Sequence, residues 1–433
     1  MEYATLPYQL QTGDWETAIK QEALFHQLQN NITTAKYKEK NISFKSLFHY
    51  IENRGLYCMS NMFDYLKWRG DISFNQVPLN KIDALIFAQL SYTNIEGLVS
   101  SDFSQPVTLE ELSKIYSESP DYESKRNTSY YKKKRTSELL VATGNSRRFS
   151  QVKVCGFKQI IDEKKQEQFA AMVFLLENTA VIAFVGTDDT LVGWKEDFIL
   201  SFSPHIPSHQ DGLDYFEKVA SYFKQDLVIV GHSKGGNIAI NTAVNCSKEN
   251  QDRITNVFNF DGPGFDEAFF KKKAFKNIED RLVSVYPAYS IVGMIFHHQK
   301  KFEIAKSAGV ALNQHKAHLW EICGADFVHE VDFTTQSKIF HESLNDWAEQ
   351  VPPAQREILS KNLFEILDAS GAKTVTELSH IRIKSLQKMI STYSKLKDTQ
   401  SDDLRKFVKL MIEVAQDTSP IINTLKKGAF IKE

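Results

Sequence analysis

The sequence predicts an α/β fold built on a mostly parallel central sheet. From Gln151 onward, short apolar β runs alternate with helical stretches, the order that parallel strands joined by crossover helices require. Two of those runs, Ala180–Val185 and Leu227–Val230, are short and wholly apolar, as expected of strands covered on both faces. The second leads straight into Gly231-His232-Ser233-Lys234-Gly235 and then into a good helix former, Gly236–Val244.

The chain has 433 residues, enough for two or three domains or one large domain with additions. A net charge of −2 gives no general reason to expect nucleic acid or an anionic membrane surface as a partner. Cys58, Cys155, Cys246 and Cys323 are isolated, with no metal-ligand spacing. They read as buried thiols in a reducing compartment. The first residues lack the basic-then-apolar layout of an export signal, and no uncharged stretch approaches bilayer-spanning length. A cytoplasmic protein without cofactor, metal or transmembrane segment is expected.

Residues 1–58 are polar and mixed, with weak helical periodicity over Trp15–Leu28, and read as an N-terminal extension. The triplet Arg69-Gly70-Asp71 reads as a loop, and Lys81–Tyr92 as an amphipathic helix. Thr108-Leu109-Glu110-Glu111 opens another helix with a capping signal. Tyr130–Arg135 is a dense basic cluster with aromatics, read as the solvated start of a helix rather than a phosphate patch. Val152–Ile161 and Gln168–Leu176 form a hairpin. After the Ala180 strand come a helix around Gln210–Lys224, the Leu227 strand, the helix behind Ser233, and apolar runs at Val257–Phe260 and Arg281–Tyr286. Trp320–Cys323 and Phe327–Val331 are the last β runs. Helices over Gln336–Glu349, Gln355–Leu367, Thr374–Ser394 and Ser401–Thr424 make a C-terminal helical region, 335–433, beyond a central domain at 59–334.

A strand, G-x-S-x-G and a helix in that order make a nucleophile elbow. Its turn forces Ser233 into a strained conformation, and the helix N-terminus offers N–H groups to a developing oxyanion. A serine hydroxyl needs a base, and the base a third group to hold its tautomer. In this arrangement both follow the serine in the chain. Asp261 stands at the end of the Val257 run, and no carboxylate occurs between Arg281 and Lys301, so Asp261 is the acid by elimination. Its competing role is a loop-capping turn. His315, in the loop before Trp320, is the favoured base and His318 the alternative. His232 is read as structural. The oxyanion donors are the N–H groups of Lys234 and Thr187, the latter in the turn after the Ala180 strand, with Asp188 a secondary site candidate there.

Ala180–Thr187 followed by Gly193-Trp194-Lys195-Glu196-Asp197-Phe198 resembles the strand, F-R-G-T/S turn and W-x-x-D segment of the class 3 lipases. His315 with Trp320 resembles that family's H-x-x-x-x-W ending. Together with Trp68–Asp71, Gly231–Asn237, Asp261–Phe265 and Ser290–Gly293, these stretches are similar to a lipase-like α/β-hydrolase group of Gram-positive bacteria, mostly without an assigned substrate. The resemblance spans about Met59 to Trp347. It implies an α/β-hydrolase fold, Ser233 and His315 as nucleophile and base, Thr187 and Lys234 as oxyanion donors, and a lipid or other acyl ester as substrate. It also implies a native start near Met59, so that residues 1–58 are an upstream translation or an unusual extension. Two features depart from the pattern: Val185 replaces the usual arginine, and the family's acid position, near Ser290, holds no carboxylate. Ile291–Phe296 is placed as an acyl pocket or lid, or as ordinary core. The rival readings are a catalytically silent interaction module, using the C-terminal helices as its surface, and a thioesterase or peptidase with the same residues.

Overall fold

The structure, a computed structural model, describes residues 61–123, 135–200, 203, 205–379, 383–397 and 404–406. Every described residue lies within the unit Met59–Glu433. The expectations for residues 1–58, for the basic run Tyr130–Lys134 and for most of Ser401–Thr424 fall outside the described residues.

An eight-stranded sheet runs in strict chain order: β1 (Val107–Thr108), β2 (Lys153–Asp162), β3 (Glu167–Leu175), β4 (Thr179–Phe184), β5 (Asp226–His232), β6 (Ile254–Phe260), β7 (Leu282–Pro287) and β8 (Glu303–Ala305). The first four pair antiparallel and β4 through β8 pair parallel, which is the α/β-hydrolase fold that the sequence predicts.

Side-chain alternation divides each strand between two cores. Val181, Ala183, Val228, Val230, Phe258 and Phe260 face one way, onto the helices Met62–Arg69, Lys81–Leu90 and Thr136–Gly144. Ala180, Ile182, Phe184, Leu227 and Ile229 face the other way, onto Pro207–Tyr222, Lys234–Asn245 and Lys273–Ile278. Both faces are covered, so β4 and β5 read as unbroken apolar runs.

The helix Lys81–Leu90 starts with a reciprocal cap. The Asn80 side chain accepts from the N–H groups of Ile82 and Asp83, and the Asp83 carboxylate accepts from the Asn80 N–H. Asp83 also pairs with fully buried Arg148 at 2.6 Å, whose remaining donors reach the carbonyls of Ile72, Val77 and Pro78. This clamp fixes the helix that crosses β4 to β6.

Two elements differ from expectation. Trp68 and Arg69 close a helix, Met62–Arg69, and Arg69 is buried. The Asn61 capping box starts this helix, which runs on to take in Arg69, the first residue of the expected loop. The run Phe327–Val331 shrinks to Asp326–Phe327, paired with Ile322–Cys323. Its later residues divide their hydrogen bonds, Val328 donating to the Glu321 carbonyl and Glu330 to that of Ile304, so no ladder continues. Of the expected helix Thr374–Ser394, the described residues Val375–Ser379 and Ile383–Tyr393 are helical.

Phe87 lies at the centre of the first core, 4.8 Å from Phe174, 5.4 Å from Phe149 and 6.1 Å from Phe74 between ring centroids. Phe87→Ala is expected to lower the free energy of unfolding by about 3–5 kcal/mol. Urea unfolding measures it, and a loss under about 1 kcal/mol would contradict this packing.

Candidate active site

Strand β5 ends at His232, and the helix Lys234–Asn245 begins at once, leaving Ser233 alone to reverse the chain. Ser233 takes φ 59° and ψ −136°, a conformation that L-residues avoid. Crowding explains the glycines around it. A Cβ at Gly231 would run into the Gly235 backbone, one at Gly235 into the Phe184 carbonyl, and one at Gly236 into the Asn259 amide. The Ser233 N–H donates to the Phe260 carbonyl at 2.9 Å, which ties the turn to β6.

Strand register sets which segments surround this turn. Phe184 pairs with Gly231, so the turn after β4 arrives on one side. His232 pairs with Phe260, so Asp261 arrives on the other. Phe260 pairs with Val285, which brings the segment after β7 up to Asp261.

Asp261 is fully buried, at φ 51°. Its Oδ2 lies 2.6 Å from His315 Nδ1, and its Oδ1 accepts from the Ser290 hydroxyl at 2.5 Å. A carboxylate only accepts, so His315 Nδ1 carries the proton and Nε2 is the basic nitrogen. His318 sits one short turn further on, buried. His232 is not idle. Its Nε2 lies 2.8 Å from the His315 carbonyl, which only accepts, so Nε2 is the protonated nitrogen. Nδ1 is then an acceptor 3.0 Å from the Tyr92 hydroxyl, whose single proton is shared with the His232 carbonyl at 3.1 Å. The imidazole inside the elbow thus holds the backbone of the histidine that Asp261 holds by its ring.

The turn after β4 is organised by its own side chains. Asp188 accepts from the N–H and the hydroxyl of Thr190 at 2.7 and 2.5 Å, and so shapes the loop instead of joining Asp261. The Thr187 hydroxyl donates to Asp197 Oδ2 at 2.6 Å. Burial pushes the Asp197 carboxyl up to about 6, against the pull of Lys234 and the Thr187 hydroxyl. Its Oδ1 is buried without a hydrogen-bond partner.

Lys234 turns its side chain away from Ser233 into the interior. Nζ bonds Glu196 Oε2 at 2.6 Å, the Gln168 carbonyl at 2.6 Å and Gln168 Oε1 at 2.8 Å, with both charged groups almost wholly buried. Glu196 also accepts from the N–H groups of Gln168 and Ser208. A buried ion pair exists here, carried by Lys234 and Glu196, although Val185 stands where the resemblance expects an arginine. Two other contributors went unread, Ser290 and the adjacent Gly293, where a Cβ would collide with Asp261 Oδ1. Both stood in the quoted Ser290–Gly293 motif, which was a usable signal.

Within Ile291–Phe296, Ile291, Gly293 and Met294 are buried and Val292, Ile295 and Phe296 half-buried. Ile291 and Met294 are buried against Phe340 and Leu344 of the helix Thr335–Gln350. Among the described residues, Glu303, Asp326 and His329 bring possible metal ligands within 4.8 Å of one another. Lys81 Nζ stands between them, 2.7 Å from Glu303 and 2.8 Å from Asp326, and itself supplies the cation.

Asn237, on the elbow helix, donates to the carbonyls of Pro263 and Gly264 beyond the acid, and His209 Nε2 bonds its side-chain oxygen at 2.7 Å. Burial pushes the His209 pKa down to about 4, although the Asn237 bond opposes this. An unfolded histidine takes its proton near pH 6.5. From about pH 6.5 down to about 4 the unfolded chain therefore binds the extra proton, and this group's contribution to stability is lost as pH falls. His209→Gln is expected to show a smaller fall in urea midpoint than the parent between pH 7 and pH 4.5. Equal falls would mean that His209 is not held neutral.

No curated protein matches the chain. Among solved structures it is similar to the M37 lipase (15% identity over 49% of this chain and 68% of that one, TM-score 0.31). It is also similar to a fungal lipase in an inhibitor complex (15%, 46% and 81%, TM-score 0.30) and to the Rhizomucor miehei lipase propeptide complex (16%, 53% and 76%, TM-score 0.29). Among the described residues no helix is long and apolar enough to cross a membrane. The profile of the Mbeg1-like family matches residues 143–365, a span holding β2 to β8, Ser233, Asp261 and His315, and the chain belongs to that family.

Proposed function

We propose that this protein is a serine hydrolase that cleaves carboxylic esters, of lipids or other acyl compounds, through an acyl-serine intermediate. The observation that carries the reading is the 2.6 Å contact of Asp261 with His315, on strands whose register sets Asp261 beside the strained Ser233. In the reaction the Ser233 hydroxyl attacks the ester carbonyl while its proton passes to His315 Nε2. The carbonyl electrons become an oxyanion, held by the N–H groups of Thr187 and Lys234, each worth about 3 kcal/mol of barrier. As the oxyanion collapses, the C–O bond to the alcohol breaks and the leaving oxygen takes the proton from His315. Water, with its proton passing to His315, then attacks the acyl-serine, and Ser233 regains its hydrogen as the free acid departs.

Asp261 stabilises the imidazolium and fixes the tautomer, and Ser290 occupies its other oxygen. The lipid character of the substrate rests on the likeness of the motifs to class 3 lipases. The free thiols Cys155, Cys246 and Cys323 support a cytoplasmic setting.

Ser233→Ala is expected to reduce turnover of p-nitrophenyl butyrate to the uncatalysed level, and a fluorophosphonate probe is expected to label Ser233 of the folded parent. Absent label with a folded chain would favour the silent interaction module. Asp261→Asn should lower kcat by about 10⁴-fold through loss of the correct tautomer. Steady-state kinetics read this, and a rate within tenfold of the parent would move the acid elsewhere.

A further inference from the structure

The helix Leu191–Ile199 touches both oxyanion donors through adjacent residues. Glu196 holds the Lys234 side chain and Asp197 holds the Thr187 hydroxyl. The position of this helix therefore bears on the Thr187 turn, while the Lys234 N–H is fixed by the elbow.

Its N-terminus is capped in an unusual way. The N–H of Leu191, its first residue, donates to the Lys373 carbonyl at 2.9 Å, and the N–H of Val375 donates back to the Asp189 carbonyl at 2.8 Å. Thr190 and Thr374 face each other between these bonds as an antiparallel bridge. Val375 is itself the first residue of the helix Val375–Ser379. Each helix thus satisfies, with the other's backbone, an N–H that has no carbonyl within its own helix. Thr376 N–H adds a bond to the Asp189 carboxylate at 3.3 Å.

The rest of the helix is covered by the same region. Leu191, Trp194 and Phe198 pack against Leu363, Phe364 and Leu367, with Phe198 and Phe364 ring centroids 5.2 Å apart. Lys195 pairs with Asp368 at 2.5 Å.

We propose that the backbone clasp between 189–191 and 373–375, rather than the side-chain packing around it, positions the oxyanion hole. This rests on the serine-hydrolase reading above. The clasp residues are positioning residues, since they act through Thr187, Glu196 and Asp197 and touch no substrate. A clasp two bonds wide restrains the turn after β4 at the point where that turn enters its helix. Without it, the Thr187 N–H is free to drift relative to the Lys234 N–H, which the elbow fixes independently. Misplacement by about 1 Å at such a site costs on the order of 10²-fold in rate.

The test uses Val375→Pro and Leu191→Pro in the full chain. Proline is well tolerated at the first position of a helix, so each variant deletes one clasp donor and leaves its helix startable. Leu363→Ala is the comparison, because it removes packing from the same cluster and no clasp donor. The expected result is a fall of at least tenfold in kcat on p-nitrophenyl butyrate for both proline variants, with KM within twofold. A boronic acid that mimics the tetrahedral intermediate should weaken in the same proportion. Leu363→Ala should melt earlier yet keep kcat within twofold well below its melting temperature. Because a proline variant could fail by unfolding, hydrogen exchange of β5 and β6 is followed alongside, and the result counts when exchange rises only in the segment 187–199. A folded proline variant with parental kcat overturns the clasp alone. A parent that neither turns over ester nor takes fluorophosphonate overturns the hydrolase reading and this proposal with it.

Discussion

The molecule is organised around a single backbone reversal at Ser233. A residue at φ 59° is costly, by about 1–3 kcal/mol, and persists only when its surroundings over-determine it. Here they do. The helix behind the turn begins so close to β4, β5 and β6 that Gly231, Gly235 and Gly236 have no room for a methyl group. The serine N–H is bound to β6. The helix Lys234–Asn245 cannot withdraw, because Ile238, Ala239, Ala243 and Val244 lie in the core of that face. Packing of an ordinary apolar helix thus holds a conformation that the serine would not adopt alone.

A second constraint follows from the residue after it. A lysine at the first position of a buried helix must leave water, and an unpaired ammonium there would be ruinous. Glu196 and Gln168 supply three short bonds and make its burial tolerable. The pair also links the elbow, strand β3 and the helix Leu191–Ile199. Such pairs often give little net stability compared with apolar residues of the same size. Its value here is register, since the helix that carries Glu196 can dock in one way only.

Much of this was legible in the sequence, and the legible parts share a cause. β4, β5 and the elbow announce themselves because burial on both faces leaves only apolar residues and crowding leaves only glycine. That Asp261 and His315 meet was foreshadowed by the absence of a carboxylate between Arg281 and Lys301 and by the place of His315 before the last strands. Other features were hidden for physical reasons. Whether Phe327–Val331 extends a ladder depends on which carbonyls lie opposite, and no local propensity encodes that. The helical place of Arg69 was obscured because a turn-like Arg-Gly-Asp triplet outweighed the capping box at Asn61. The partnership of Lys234 with Glu196, 38 positions away, leaves no periodic trace. Neither does the bond from His232 to the His315 carbonyl.

The helix Leu191–Ile199 shows why the C-terminal helices are more than an appendage. Glu196 faces inward to a buried lysine, while Leu191, Trp194 and Phe198 present an apolar stripe elsewhere on the same nine residues. A helix that is needed on two sides must be covered on both, and the sheet covers only one. The second cover is Leu359, Leu363, Phe364 and Leu367, delivered from more than 150 positions downstream of Phe198 (359 − 198 = 161). The C-terminal helices therefore complete the cover of the helix that carries Glu196 and Asp197. Ser233 and Asp261 are held elsewhere, directly after β5 and β6, and His315 ends the short helical turn Ala311–His315.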